Sequence, residues 1–301
     1  MLIAPDRTLP DRPAPVEGHT VAEQIAVGKR FAFGANWTRF LRLLTAERIA
    51  EAERSLREML ERETLSGKTF LDIGSGSGLF SLAARRLGAQ VLSFDYDQES
   101  VGCANELRRR FFAADPLWRV EQGSVLDAAF VAGLGSFDIV YSWGVLHHTG
   151  RMWLALEHAA RTVALGGKLF IAIYNHQVYW TRWHTRVKRL YANSPRTMQP
   201  ALALAYGALQ ATKGLVKDIA AFRDPRARYR NKRRSRGMSM WYDWVDWLGG
   251  YPFETAQPDR VFDFSHARGF ELERLVTVAG GHGCNEFVFR RVMVTVGRGE
   301  A

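Results

Sequence analysis

The chain has 301 residues, 47% of them hydrophobic and 12% aromatic. That excludes a disordered or low-complexity protein and leaves room for a large core, in about two domains or one with a long insertion. Its two cysteines, Cys103 and Cys284, have neither disulfide-framework nor metal-ligand spacing, so the expectation is a cytoplasmic protein with no metal site. The net charge of +10 is local: residues 223–237 hold seven arginines and one lysine against Asp224, leaving about +3 elsewhere.

Residues 1–35 carry Pro5, Pro10, Pro13 and Pro15 and no apolar run of signal-peptide length, which reads as a flexible lead. No stretch reaches the roughly 18 apolar residues of a transmembrane helix. From 36 to 63 the spacing of Ile49, Ala52, Leu56, Met59 and Leu60 predicts a helix. An alternation follows: strand KTFLDI, helix LFSLAARRLG ending at Gly88, strand QVLSFD, helix ESVGCANELRRRFF, a short strand in RVEQGS, and strand FDIVYS. Helix RMWLALEHAARTVA, stopped by Gly166 and Gly167, leads to strand KLFIAIY. Such alternation implies a doubly wound, mostly parallel α/β sheet. The core is expected over 36–174. From 175 to 257 helical, aromatic and basic segments interrupt it, and 258–301 returns to the sheet with a helix at PDRVFDFSHARGF and an antiparallel hairpin around AGGHGCN.

Gly74, Gly76 and Gly78 space as G-x-G-x-G. The dinucleotide fingerprint needs its third glycine one position later, and a phosphate loop needs Gly-Lys-Ser/Thr. Asp72 just before the glycines would repel a pyrophosphate and suits a cationic ligand. Asp95, seventeen residues after Gly78, ends the second strand, where a carboxylate can accept from ribose hydroxyls or merely cap the strand. EQGSVLD and FDIVYSWGVLHHTG end the next two strands. All four segments converge at one edge of a parallel sheet.

With LDIGSGSG, SFDYD, QGSVLD and FDIVYSWGVLHH in this order, and a terminal hairpin, the sequence resembles the class I S-adenosylmethionine-dependent methyltransferases, closest to their ubiquinone-methylase-like small-molecule branch. The likeness covers about 66–174 and 257–297. It implies a seven-stranded Rossmann-like sheet and S-adenosylmethionine as cofactor. It also implies contacts from the backbone of Gly74, Ser75, Gly76 and Gly78 to the methionine part, Asp72 on the ammonium side, and Asp95 with Tyr96 at the ribose. Ser124 and Val125 would meet the adenine, and Ser142 and Trp143 the cofactor's other side. Ser124 stands where the family often has Asp or Asn, which weakens the adenine assignment. Relatives that methylate base amines or glutamine amides carry an Asn/Asp-Pro-Pro-aromatic tetrad after strand four, absent here, so a hydroxyl acceptor leads.

Methyl transfer needs alignment, a dry pocket and sometimes a base. His147 and His148 suit proton removal, or else they cap or pack the helix near Met152. In RGMSMWYDWVDWLGGYPFE, Trp241, Trp244 and Trp247 form one stripe of a helix, with Asp243 and Asp246 beside it. They read as an acceptor wall, with Tyr251 following, or as ordinary packing. Trp37, in RFAFGANWTRF, belongs to a candidate cover. The basic 223–237 run is a solvated loop, a contact for an anionic membrane surface together with the apolar 199–222 stretch, or a site for RNA phosphates. Loops resembling GVLHHTG occur in some tRNA wobble-uridine modifying relatives, but the chain has no RNA-binding motif. The expected function is methyl transfer to a small-molecule hydroxyl. The alternatives are a tRNA methylase, a membrane-surface methylase of a lipidic acceptor, or a protein keeping the cofactor as a structural ligand.

Overall fold

The computed structural model describes residues 41, 44–113, 115–195, 197–221, 224, 240–281 and 283–293, with backbone only at 217, 240–243 and 246. The lead at 1–35, the Trp37 segment and nearly all of the 223–237 basic run lie outside the described residues.

Chain order is α1 (Ala46–Leu60), β1 (Thr69–Ile73), α2 (Leu79–Arg86), β2 (Gln90–Asp95), α3 (Gln98–Phe112), β3 (Trp118–Gln122), α4 (Ala128–Gly133), β4 (Phe137–Trp143), a 3₁₀ turn (Leu146–His148), α5 (Met152–Arg161) and β5 (Val163–Tyr174). Then come α6 (Val178–Asn193), α7 (Gln199–Ala220), α8 (Met240–Gly249), α9 (Pro258–His266), β6 (Phe270–Val276) and β7 (Cys284–Arg291). The strands form one sheet in the order β3-β2-β1-β4-β5-β7-β6. Strands β1 to β5 pair in parallel, and β7 runs antiparallel between β5 and β6.

Alternate side chains of each central strand feed two cores. Phe70, Ile139, Tyr141, Phe170 and Val288 face α1, α2 and α3. Leu71, Val140, Leu169, Ile171 and Phe287 face α5 and α9. A sheet covered on both faces reads as continuous apolar runs, as these strands do. The strand order turns back between β1 and β4, which opens a crevice at the carboxyl ends of the strands.

Three expectations change. The helix expected over 36–63 is interrupted: Leu41 is helical, Thr45 is extended before α1, and Glu61 ends α1 at φ 53. Helix α5 is not stopped by Gly166 and Gly167; it ends at Arg161, and β5 already starts at Val163. The two glycines sit in a bulge where the register jumps from Phe137↔Val163 to Ile139↔Lys168. A Cβ on Gly167 would lie 2.8 Å from the Ala164 carbonyl oxygen, so the bulge needs glycine there. Helix α4 was not expected; Asp127 nucleates it by accepting from the amides of Ala129 and Phe130 at 3.0 and 3.1 Å.

Between β5 and α9 lie α6, α7 and α8, with a small apolar centre of their own at Tyr191, Ala203 and Leu248. No helix among the described residues is long and apolar enough to cross a membrane.

Candidate active site

The loop after β1 turns through Gly74, Gly76 and Gly78, all at positive φ. A Cβ on Gly78 would meet the Ala104 Cα at 2.8 Å, and one on Gly74 would meet the Val145 side chain at 2.4 Å. Glycine is thus needed twice over, for conformation and for the close approach of α3 and of the loop after β4. The amides of Gly74 and Ser75 donate to the Phe94 carbonyl at 2.8 and 3.1 Å. Ser75 Oγ is buried without a hydrogen-bond partner.

Asp95 ties the strand ends together. Its Oδ2 accepts from the Gly76 amide and its Oδ1 from the Asp97 amide, both at 3.0 Å, and its carbonyl accepts from the Gly123 amide at 2.9 Å. Each carboxylate oxygen keeps capacity for a further donor. Burial pushes the Asp95 carboxyl up to about 6. Asp72 points to the other side, into the α2 layer, where Ser81 Oγ donates to it at 2.5 Å. Ser93 Oγ donates to Ser81 Oγ at 2.7 Å and Trp118 Nε1 to Ser93 Oγ at 2.9 Å, a closed buried chain ending on the carboxylate. Burial, with repulsion from Asp95 added, pushes Asp72 up to about 7. Neither carboxylate is in an ion pair with a basic side chain among the described residues. Asp95 at the glycine loop and Asp72 behind it give a negative field there, which suits a cation and opposes a phosphate.

Around these, the Tyr96 carbonyl accepts from Gln122 Nε2 at 3.1 Å, and Ser124 Oγ accepts from the Leu126 amide at 3.2 Å. Val125 is buried, and its carbonyl meets His158 Nδ1 at 2.7 Å. Ser142 is fully buried, donating to the Ile73 carbonyl at 3.1 Å. Trp143 is 44% exposed at the rim.

The 3₁₀ turn holds the two histidines, whose rings lie 4.5 Å apart and cross at 62°. His148 Nδ1 bonds the Pro252 carbonyl at 2.9 Å; a carbonyl only accepts, so Nδ1 carries the proton. Burial and the nearby Lys188 charge pull His148 down to about 4. His147 is fully buried, and neither ring nitrogen makes a hydrogen bond inside 3.5 Å, although the Ala172 backbone is near enough to favour its charged form. Burial first, then His148 and Lys188, hold it well below the ordinary histidine value, so it is neutral at physiological pH.

The segment after α8 docks on this turn. The Glu254 amide donates to the His147 carbonyl at 2.9 Å, and Glu254 Oε2 accepts from the Met152 amide at 2.9 Å. A carboxylate 102 residues away therefore caps α5, a role that the sequence alone left open to the histidines. Tyr174, 4.6 Å from His147 by ring centroid, and Phe253, 5.1 Å from Tyr174, complete an aromatic wall.

Of the expected acceptor residues, Trp37 lies outside the described residues, and Trp241, Asp243 and Asp246 are placed on α8 by backbone alone. Tyr251 is half-buried, with the Arg189 guanidinium 5.8 Å from its ring centroid. The neighbouring Trp244 packs on Gly207, whose missing Cβ would lie 2.1 Å from the ring, and Trp247 stacks on Tyr206 at 4.6 Å. Lys188, Phe253 and Glu254 were not singled out in the sequence. Lys188 had a signal: His184, Lys188 and Tyr191 are the buried positions of α6, at helical spacing.

Residues 44–205, more than half of the chain, match the family model described as a methyltransferase domain. The chain belongs to this methyltransferase family. A stretch of 124 residues, 41% of this chain and 48% of the relative, is 33% identical to a ubiquinone biosynthesis O-methyltransferase of Sinorhizobium medicae. Another of 105 residues is 38% identical to a ribosomal protein L11 methyltransferase of Helicobacter hepaticus, covering 33% of this chain and 32% of the relative. The chain thus spans about half or less of the length of these curated relatives. The fold is that of a magnesium protoporphyrin IX methyltransferase from Synechocystis solved with bound S-adenosylhomocysteine, at TM-score 0.51 and 13% identity over 89% of this chain and 99% of that one. The methyltransferase uses S-adenosylmethionine, and its pair of buried carboxylates without basic partners fits a sulfonium and ammonium ligand.

Proposed function

We propose that this methyltransferase transfers the methyl group to a hydroxyl oxygen of a small, flat acceptor, with His147 as the base. The observation that carries it is the buried imidazole of His147, whose two nitrogens make no hydrogen bond inside 3.5 Å, on the loop that touches Gly74 through Val145. Leaving a buried polar group unmade is costly, and an acceptor hydroxyl would satisfy it. The relatives named as ubiquinone O-methyltransferases agree in acceptor atom.

In this reading Gly74, Ser75 and Gly76 line the methionine part, Asp72 contributes negative field there, and Asp95 and Tyr96 take the ribose. Ser124 and Val125 sit at the adenine, with Ser142 and Trp143 opposite. Bound S-adenosylmethionine supplies an electrophilic methyl group. The protein's own residues align the acceptor against the wall of Tyr174 and Phe253, exclude water, and take the hydroxyl proton onto His147. Helices α6 to α8 act as the acceptor-selecting lid. The test is mass spectrometry of products from a panel of hydroxylated aromatic acceptors. An added methyl on oxygen, lost in His147→Ala, is expected; methylation of nitrogen or carbon only, or none, would reject the reading.

A second reading, work at an anionic membrane surface on a lipidic acceptor, is favoured by a separate observation. Leu204, Leu215, Val216 and Ile219 of α7 are exposed, and an apolar groove of about 210 Å³ lies between α6 and α7, lined by Val187, Leu190, Tyr191, Leu202 and Leu209. The arginine-rich run follows directly in sequence. Flotation with phosphatidylglycerol vesicles checks it: binding lost on Val216→Glu supports it, and absence of binding by the wild type removes it.

A further inference from the structure

Lys188 is 1% exposed. Its ammonium donates to the Trp247 carbonyl and lies over two rings, 4.3 Å from the Trp247 centroid and 4.8 Å from that of Phe253. No carboxylate belongs to its contacts among the described residues. Its charge reaches His147 and His148, and the rings of His147, Tyr174 and Phe253 lead from the β4 turn to it. As a structural tie this is a poor arrangement. Burial pulls Lys188 down to about 7; as an ammonium it is answered by one carbonyl and two π faces, which leaves donors unused, and an apolar side chain of equal bulk would cost less.

A buried amine with spare donors and a buried imidazole without a hydrogen bond inside 3.5 Å are thus joined by one run of aromatic rings. We infer that Lys188 binds the acceptor oxygen as it ionises, so that the enzyme selects acceptors with an acidic hydroxyl. The acceptor's O–H bond breaks, the proton goes to His147, and the negative charge left on oxygen is met by the Lys188 ammonium, which keeps its own protons. Lys188 then acts on the acceptor rather than on the cofactor, and α6 supplies chemistry to the site. The inference rests on the acceptor-facing role of His147 proposed above.

The test needs no knowledge of the natural acceptor and no turnover. The probe is 4-nitrophenol, whose phenolate absorbs visible light, added to the protein with S-adenosylhomocysteine at a pH where the free probe is mostly protonated. The wild type is expected to bind it as the phenolate and to bind the neutral 4-nitrobenzyl alcohol more weakly. Lys188→Met is expected to weaken phenolate binding about tenfold or more, with S-adenosylhomocysteine affinity unchanged and thermal stability unchanged or higher. Phenolate binding by Lys188→Met close to wild type would overturn the inference. If that variant does not fold, equal binding of the phenol and the alcohol by the wild type would do so. Lys188-dependent phenolate binding without any methyl transfer would reject the proposed function and keep this inference. Methyl transfer without phenolate binding would do the reverse.

Discussion

At residues 69–97 the proposed cofactor site is made from backbone; at 184–254 the proposed acceptor site draws on side chains brought together over long distances. In the first region each part follows from its neighbours in sequence: Gly74, Gly76 and Gly78 turn the chain, and Asp95 at the tip of the adjacent strand fastens the loop through the Gly76 amide. In the second, Lys188 on α6, Trp247 on α8, Phe253 beyond it and His147 on the turn after β4 are linked by ring contacts while lying far apart in the chain. In the proposed reading the cofactor side is built on the sheet, and the acceptor side largely on the helices inserted between β5 and α9. A fold with one cofactor and many acceptors has reason to divide its site in this way.

The largest expected effect breaks the acceptor side alone. His147→Ala should lower turnover about 10²–10⁴-fold with cofactor affinity retained. His148→Ala should cost less, because the Nδ1 of His148 is already committed to the Pro252 carbonyl. Equal losses in steady-state assays of the two variants would show that the pair acts otherwise.

The next effect belongs to the cofactor side. Asp72 and Asp95 are raised from an ordinary 3.8 to about 7 and about 6 by burial. Their folded-state values lie above the unfolded ones, so the fold favours their protonated forms. The stability this gives is present below about pH 4 and is lost as pH rises through about 6 to 7. A cationic cofactor should offset that loss, so the rise in Tm caused by S-adenosylmethionine should be larger at pH 8 than at pH 5. Asp72→Asn should flatten the difference; a shift independent of pH in the wild type would rule out the electrostatic account.

The smallest effect lies where the two regions join. Glu254→Ala removes the cap from α5 and should lower stability by about 1 kcal/mol, read from chemical denaturation, together with some loss of turnover through the His147 turn. A loss of stability alone would mean that the turn does not depend on this tie.

The same division decides what could be read in the sequence. Seven strands, their mainly parallel order and the closing hairpin were legible because apolar runs and glycine turns are local. The glycine loop was legible because conformation and close approach both act within a few residues. Gly166 and Gly167 misled, since glycine ends helices and also forms bulges, and only the pairing of β4 with β5 tells which. Lys188 was hidden among the arginines of WHTRVKRL, where a charged side chain reads as solvated. It is inside because His184 and Tyr191, on the same face of α6, carry it there. Glu254 gave no local signal, since the helix it caps begins 102 residues earlier.

The division itself is tested most directly by calorimetric titration of S-adenosylmethionine into the wild type, Asp95→Ala and Lys188→Met. The account predicts that Asp95→Ala weakens binding by about 1–3 kcal/mol, the scale of lost charge-assisted hydrogen bonds, while Lys188→Met binds as the wild type does. Unchanged affinity in Asp95→Ala, or an equal loss in both variants, would contradict it.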